Sequence, residues 1–231
     1  MYLLPFGVHC MQTRNAVLLA DVIASGRQRR LREILGGKLR LASQVHLKKR
    51  WIRVPYAVTA GDEFQTVAAH AAALPEIILD LRRRMHPLHL RIAIGTGAIN
   101  GPLRAPVNRL QGEAFVRARR AMDDLKSGRL HKYPALTAFH TGNPCLDQIA
   151  NLVYGLNDTL LRAVTPKQWQ AINAYFAKQR VWLAARALRL DESTVSRRLS
   201  RGHYWQFAET IQTMKALLET DFRNLPFEQQ S

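Results

Sequence analysis

Two groups of residues in this chain are of a type and spacing that could do chemistry. The first is Ser193, Thr194, Ser196, Arg197, Arg198 and Arg201, hydroxyls and guanidiniums gathered near the carboxyl end. Such groups donate to phosphate oxygens and to base edges in the major groove, so the chemistry would be recognition of double-stranded DNA. Ser193, Thr194 and Arg197 stand where base edges would be met, and Arg198 and Arg201 where phosphates would be. The second group is Asp21 and Asp62. Two carboxylates held close together repel unless a cation lies between them, and Mg²⁺ shared with phosphate oxygens is the usual answer. Glu63, beside Asp62, would face the other side of a continuing strand and ranks second as a ligand.

To reach a groove, the basic group needs a helix whose other side is packed. The pattern supplies one. Pro166 suits the first turn of a leading helix after Thr165 as N-cap, with Trp169, Ile172 and Phe176 on its inner side. A second helix from about Val181 offers Ala185 and Leu188, and Leu190 packs from the turn. Asp191 then caps a third helix whose Val195 and Leu199 point inward, giving a helix-turn-helix. The turn position often held by glycine is Arg189, where a left-handed backbone costs about 1 kcal/mol. A helical hairpin used only for dimerisation would show the same apolar spacing, but it gives no reason for the hydroxyl–arginine face.

The carboxylates need adjoining strands. Residues 15–21 form an apolar run closed by Asp21, a buried strand. A basic helix follows over 27–49, with an interruption expected at Gly36-Gly37. Residues 52–59 and 64–69 predict two strands joined at Gly61-Asp62, which puts Asp62 at a hairpin tip beside the first strand. Either carboxylate alone has a plain structural use: Asp-Gly pairs suit turns, and Asp21 could cap the next helix. A helix from Pro75 to about Met85, a strand over 88–97, a loop over 101–108, a helix over 112–126 and a short strand over 136–140 complete the series. Close packing of a strand end accounts for Gly95-Thr-Gly97 better than a phosphate loop does. The order β-α-β-β-α-β predicts an α+β fold, a ferredoxin-like or nucleotide-cyclase-like palm. From Pro144 on only helices are expected, so we divide the chain into 1–145 and an all-α, DNA-binding 146–231.

Composition agrees. The 231 residues carry a formal charge of +17, which attracts polyanions through counterion release. Arg82-Arg83-Arg84 and Lys48-Lys49-Arg50 each sit at a predicted helix end, where solvated cations suit the helix dipole. Two cysteines, Cys10 and Cys145, argue against a disulfide framework and for a reducing, cytoplasmic setting. The first fourteen residues are too short and broken for a signal peptide or membrane helix, so no membrane partner is expected. None of the eight histidines shows metal-ligand spacing, and Trp169, Trp182 and Trp205 are expected to pack in the helical part.

Four blocks occur in order: Leu-Ala-Asp-Val-Ile-Ala-Ser25, Ala-Gly-Asp-Glu-Phe-Gln65, Leu-Arg-Ile-Ala-Ile-Gly-Thr-Gly97 and Gly-Glu-Ala-Phe-Val-Arg-Ala-Arg-Arg120. With the helix-turn-helix they resemble the SatD family of bacterial proteins from about Asn15 to Leu218. The first part, about 15–140, is also distantly similar to class III nucleotide cyclases and diguanylate cyclases. That resemblance implies metal binding by Asp21 and Asp62, with Mg²⁺ as cofactor, and nucleotide contact by Asp21, Asp62 and Arg120. Other positions depart from it: Val58 stands for a base-reading lysine, Arg109 for an acidic partner, Val116 for a ribose-orienting asparagine, and Ala60 for a loop glycine. The expectation is therefore a DNA-binding regulator of SatD type that acts as a homodimer and carries a nucleotide-sensing domain with a degenerate site. The alternative is a Mg²⁺-dependent nucleotidyl cyclase or transferase using Asp21 and Asp62.

Overall fold

Strand β1 (Asn15–Val22) is buried along almost its whole length because both of its faces are covered. Leu18, Ala20 and Val22 face one layer of helices, while Val17 and Leu19 face another. Antiparallel neighbours flank it on either side, β3 (Glu63–Ala68) and β4 (Leu90–Gly97). The edges are β2 (Ala57–Ala60), antiparallel to β3, and β5 (Thr137–His140), parallel to β4. The sheet order is β2-β3-β1-β4-β5. Its first four strands have the split β-α-β connectivity expected from the sequence. The computed structural model describes residues 15–23, 31–103 and 106–219, so the start of the predicted helix at 27 lies outside the described residues.

Helices α1 (Leu31–Lys48) and α2 (Leu74–Met85) cover one face, and α3 (Glu113–Ser127) covers the other. Contrary to expectation, α1 runs unbroken through Gly36 and Gly37. Leu35 and Leu39 hold the helix to the core on either side of the pair, and tertiary packing outweighs the poor helix propensity of two glycines. Strand β2 is also shorter than expected. Residues 52–56 leave the sheet, apart from a single bridge between Ile52 and Ala68, and a register shift falls between Val58 and Ala60. The expected loop at 101–108 ends in a short 3₁₀ turn at Val107–Arg109.

Helix α4 (Pro144–Arg162) packs on the sheet as well, through Ala150 and Tyr154. Its Asn151 side chain accepts from Phe139 N at 2.7 Å and donates to Phe139 O at 3.1 Å, pairing the open edge of β5. The remaining helices, α5 (Pro166–Lys178), α6 (Val181–Leu188), α7 (Glu192–Arg201) and α8 (Tyr204–Glu219), enclose a cluster built on Trp169, Ile172, Ala184, Ala185, Val195, Leu199 and Phe207. Leu79 of α2 belongs to this cluster, and Met214 of α8 belongs to the sheet core. The two cores are thus stitched together.

Candidate nucleic-acid interface and the carboxylates of the sheet

Helices α6 and α7 are joined by a three-residue turn, Arg189-Leu190-Asp191. Arg189 takes up the left-handed conformation expected of it (φ 55°, ψ 45°), and Leu190 N donates to Ala185 O at 3.0 Å to end α6. The carboxylate of Asp191 accepts from Ser193 Oγ at 2.6 Å and Thr194 N at 2.7 Å, starting α7. Those hydrogen bonds, the Ser193 one foremost, hold the Asp191 carboxyl well below the usual carboxylate range. Val195 and Leu199, four apart, are fully buried against α5 and α6.

The opposite side of α7 is open. Ser193, Ser196, Arg197 and Arg201 are exposed, and Thr194 and Arg198 are partly so at its flank. Arg197 Nη2 donates to Thr194 Oγ1 at 3.1 Å. All six predicted residues therefore lie on one short helix, four of them exposed and two partly so. Lys167 and Gln168 at the start of α5 line the same surface. The sequence reading missed them, although their place one turn into a capped helix before the hairpin was a usable signal.

The carboxylates are arranged differently from the sequence expectation. Asp21 ends β1 on the α3 face, 5% exposed, opposite Arg91 in the register. Asp62 is indeed at the hairpin tip beside β1, but its Oδ2 accepts from the Val22 amide at 3.2 Å. Glu63, the secondary candidate, shares the Asp21 side of the sheet. Lys126 Nζ of α3 lies 3.0 Å from Asp21 Oδ2 and 3.7 Å from Glu63 Oε2. Arg91 approaches Asp21 at 3.4 Å, and Arg119 holds Glu63 with two bonds of 2.6 and 2.7 Å. Burial would raise the Glu63 carboxyl, but the Arg119 hydrogen bond and the charges of Arg119 and Lys126 more than offset it and leave it low.

The Lys126 ammonium thus bridges Asp21 and Glu63. Asp21 Oδ2 and Asp62 Oδ2 each meet a protein donor. Asp21 Oδ1 is buried and has no hydrogen-bond partner among the described residues. Arg119 and Lys126, seven apart on α3, were readable as one helical face, yet nothing in the sequence aimed that face at Asp21. Arg120, expected at a nucleotide, is exposed on α3, and its side chain makes no hydrogen bond or ion pair with the described residues. Among the described residues no cluster of three or more His, Cys, Asp or Glu could hold a metal.

Elsewhere three sequence expectations change. Arg82 is 8% exposed rather than solvated, and donates to Asp158 at 2.9 Å, Thr137 Oγ1 at 2.6 Å and Leu90 O at 3.1 Å. Trp182 and Trp205 are about half exposed, at 51% and 47%, while Trp169 is buried as expected. His46, given no role from sequence, is fully buried, with Nε2 2.8 Å from Asp80 Oδ2 and Nδ1 2.9 Å from Tyr56 Oη. Its partners lie ten and 34 residues away, so no local pattern could reveal them.

No family model and no curated protein matches the chain. Among solved structures it is similar to a bacterial light-regulated adenylyl cyclase, at 13% identity and a TM-score of 0.36, over 55% of this chain and 75% of that one. It is also similar to a regulator of polyketide synthase expression from Bifidobacterium adolescentis, at 13% identity and a TM-score of 0.29, over 90% of this chain and 86% of that one. The likeness is loose. Neither similarity carries an argument about activity. No helix among the described residues is long and apolar enough to cross a membrane.

Proposed function

We propose that this chain is a DNA-binding transcriptional regulator of SatD type, whose α7 enters the major groove as the second helix of a helix-turn-helix. One observation carries the reading: Val195 and Leu199 are fully buried while the hydroxyl–arginine side of the same helix is open. A helix used only for packing has no need of Ser193, Ser196, Arg197 and Arg201 on its free side. Ser193 spends its hydroxyl on Asp191, so base contact falls to Thr194, Ser196 and Arg197. Arg198 and Arg201 take phosphates. A homodimer would present two such helices to paired half-sites. Fluorescence anisotropy with duplex DNA tests this. Thr194→Ala with Arg197→Ala should lose preference among sequences, and a wild type that ignores duplex DNA would end the proposal.

In the same reading the sheet and its helices form a cyclase-like palm that acts as scaffold and pairing surface. Lys126 beside Asp21 and Glu63 favours this over the cyclase or transferase alternative, because the ammonium already offsets the charge of Asp21, one of the two carboxylates that alternative needs. Incubation with nucleoside triphosphates and Mg²⁺ should give no product. A product lost in Asp62→Ala would restore the enzyme reading, and a Mg²⁺-independent thermal shift would support a nucleotide-sensing role through Arg120.

A further inference from the structure

Between the start of α5 and the flank of α7 lies a cleft of about 380 Å³, lined by Lys167, Gln168, Thr194, Arg197, Arg198 and Arg201, with Thr165 at its rim. Four of these side chains are cationic and none is acidic. None of the four forms an ion pair among the described residues, although ion pairs are common elsewhere in the chain. Like charges gathered in one concave surface repel one another and lower the energy of an anion there. The helix end itself is not the attraction. Thr165 Oγ1 accepts from Gln168 N at 3.4 Å and Gln168 Oε1 accepts from Thr165 N at 2.7 Å, so the capping box has already used these donors.

We propose that this cleft is a phosphodiester anchor: one backbone phosphate of duplex DNA sits between Lys167 on α5 and Arg198 and Arg201 on α7. The inference rests on the groove-reading role of α7 and adds a second element to the interface. Because the anchor joins two helices whose relative position is fixed by Trp169, Ile172, Val195 and Leu199, it sets the angle at which α7 meets the groove. Arg197, which donates to Thr194 Oγ1, lines the same cleft and would stand between phosphate and base.

The test is the salt dependence of duplex binding for wild type, Lys167→Gln and Arg201→Gln, on two duplexes of different sequence. Both side chains are exposed, and circular dichroism melts establish that each variant is folded. Losing one phosphate contact should weaken binding to both duplexes by a similar factor, about tenfold at moderate salt, and reduce the log–log salt slope by about 1. Wild-type affinity and slope in both variants would overturn the anchor while leaving the groove-reading role intact. A wild type that binds neither duplex would overturn both. Weakening confined to one sequence would reassign Lys167 to base contact and likewise defeat the anchor.

Discussion

Asp80 shows how one side chain can hold a region together. It is fully buried, and it accepts from His46 Nε2, from Arg83 at 2.6 Å and from Arg84 Nε. Burial by itself would raise its pKa, but the hydrogen bonds from His46, Arg83 and Arg84 outweigh that and hold it far below the ordinary range. A carboxyl depressed on folding contributes stability that is complete above its unfolded pKa, about 4, and is lost as pH falls through the folded value. Urea titrations should therefore show stability declining below about pH 4 and continuing to decline at lower pH. Asp80→Asn should lower stability at neutral pH by about 3 kcal/mol and flatten that acid limb, since buried partners are left uncompensated. An unchanged limb would mean other carboxyls control it. At Arg189 the sign reverses: Arg189→Gly removes the left-handed strain at an exposed turn and should raise stability by about 1 kcal/mol in the same assay.

At the level of elements, two glycines in similar-looking contexts should behave in opposite ways. Gly37 in α1 has nothing within 4 Å of an added Cβ, so Gly37→Ala should raise stability by about 1 kcal/mol through helix propensity. Gly95 in β4 brings the sheet against α3, and a Cβ there would lie 2.2 Å from both Ala114 O and Ala118 N. Backbone cannot step aside, so Gly95→Ala should cost about 3 kcal/mol, the upper end of overpacking, and thermal melts of the pair would decide between these accounts. The strand-end packing at Gly95 was legible from sequence because a glycine inside an apolar run already signals close approach. So were β1, the hairpin, α2, α3 and, in the tail, α5, α6 and α7, whose caps and apolar spacings are local. What stayed hidden was non-local. Whether Asp62 or Glu63 would share a cation with Asp21 depends on the pairing of β3 with β1, and the burial of Arg82 depends on Asp158 of a distant helix. Periodicity places a residue on a face; it does not say which side chain crosses from the other layer.

Considered whole, the molecule couples its sheet to its helical part through several contacts of different kinds. Arg83 of α2 donates to Asn173 at 3.3 Å and lies 4.4 Å over the Phe176 ring, while His86 packs on Trp169 with ring centres 5.4 Å apart. Asn157 donates to Thr210 at 2.6 Å, and Lys215 pairs with Glu76 at 3.1 Å. Such a joint predicts one cooperative unfolding transition, in which tryptophan fluorescence and far-ultraviolet dichroism coincide. Met214→Ala should cost about 3 kcal/mol of stability and lower the midpoints of both signals together. Separate midpoints would show the joint to be superficial. The seat of Met214 has one more consequence, for the order of events at the ribosome. The sheet's strands leave the exit tunnel early, yet their core stays open at one place until the last described helix has been made and has swung back. The core behind the groove-facing helix is completed by Phe207, so a released chain ending at Arg201 should hold DNA poorly even though every side chain that would touch it is present.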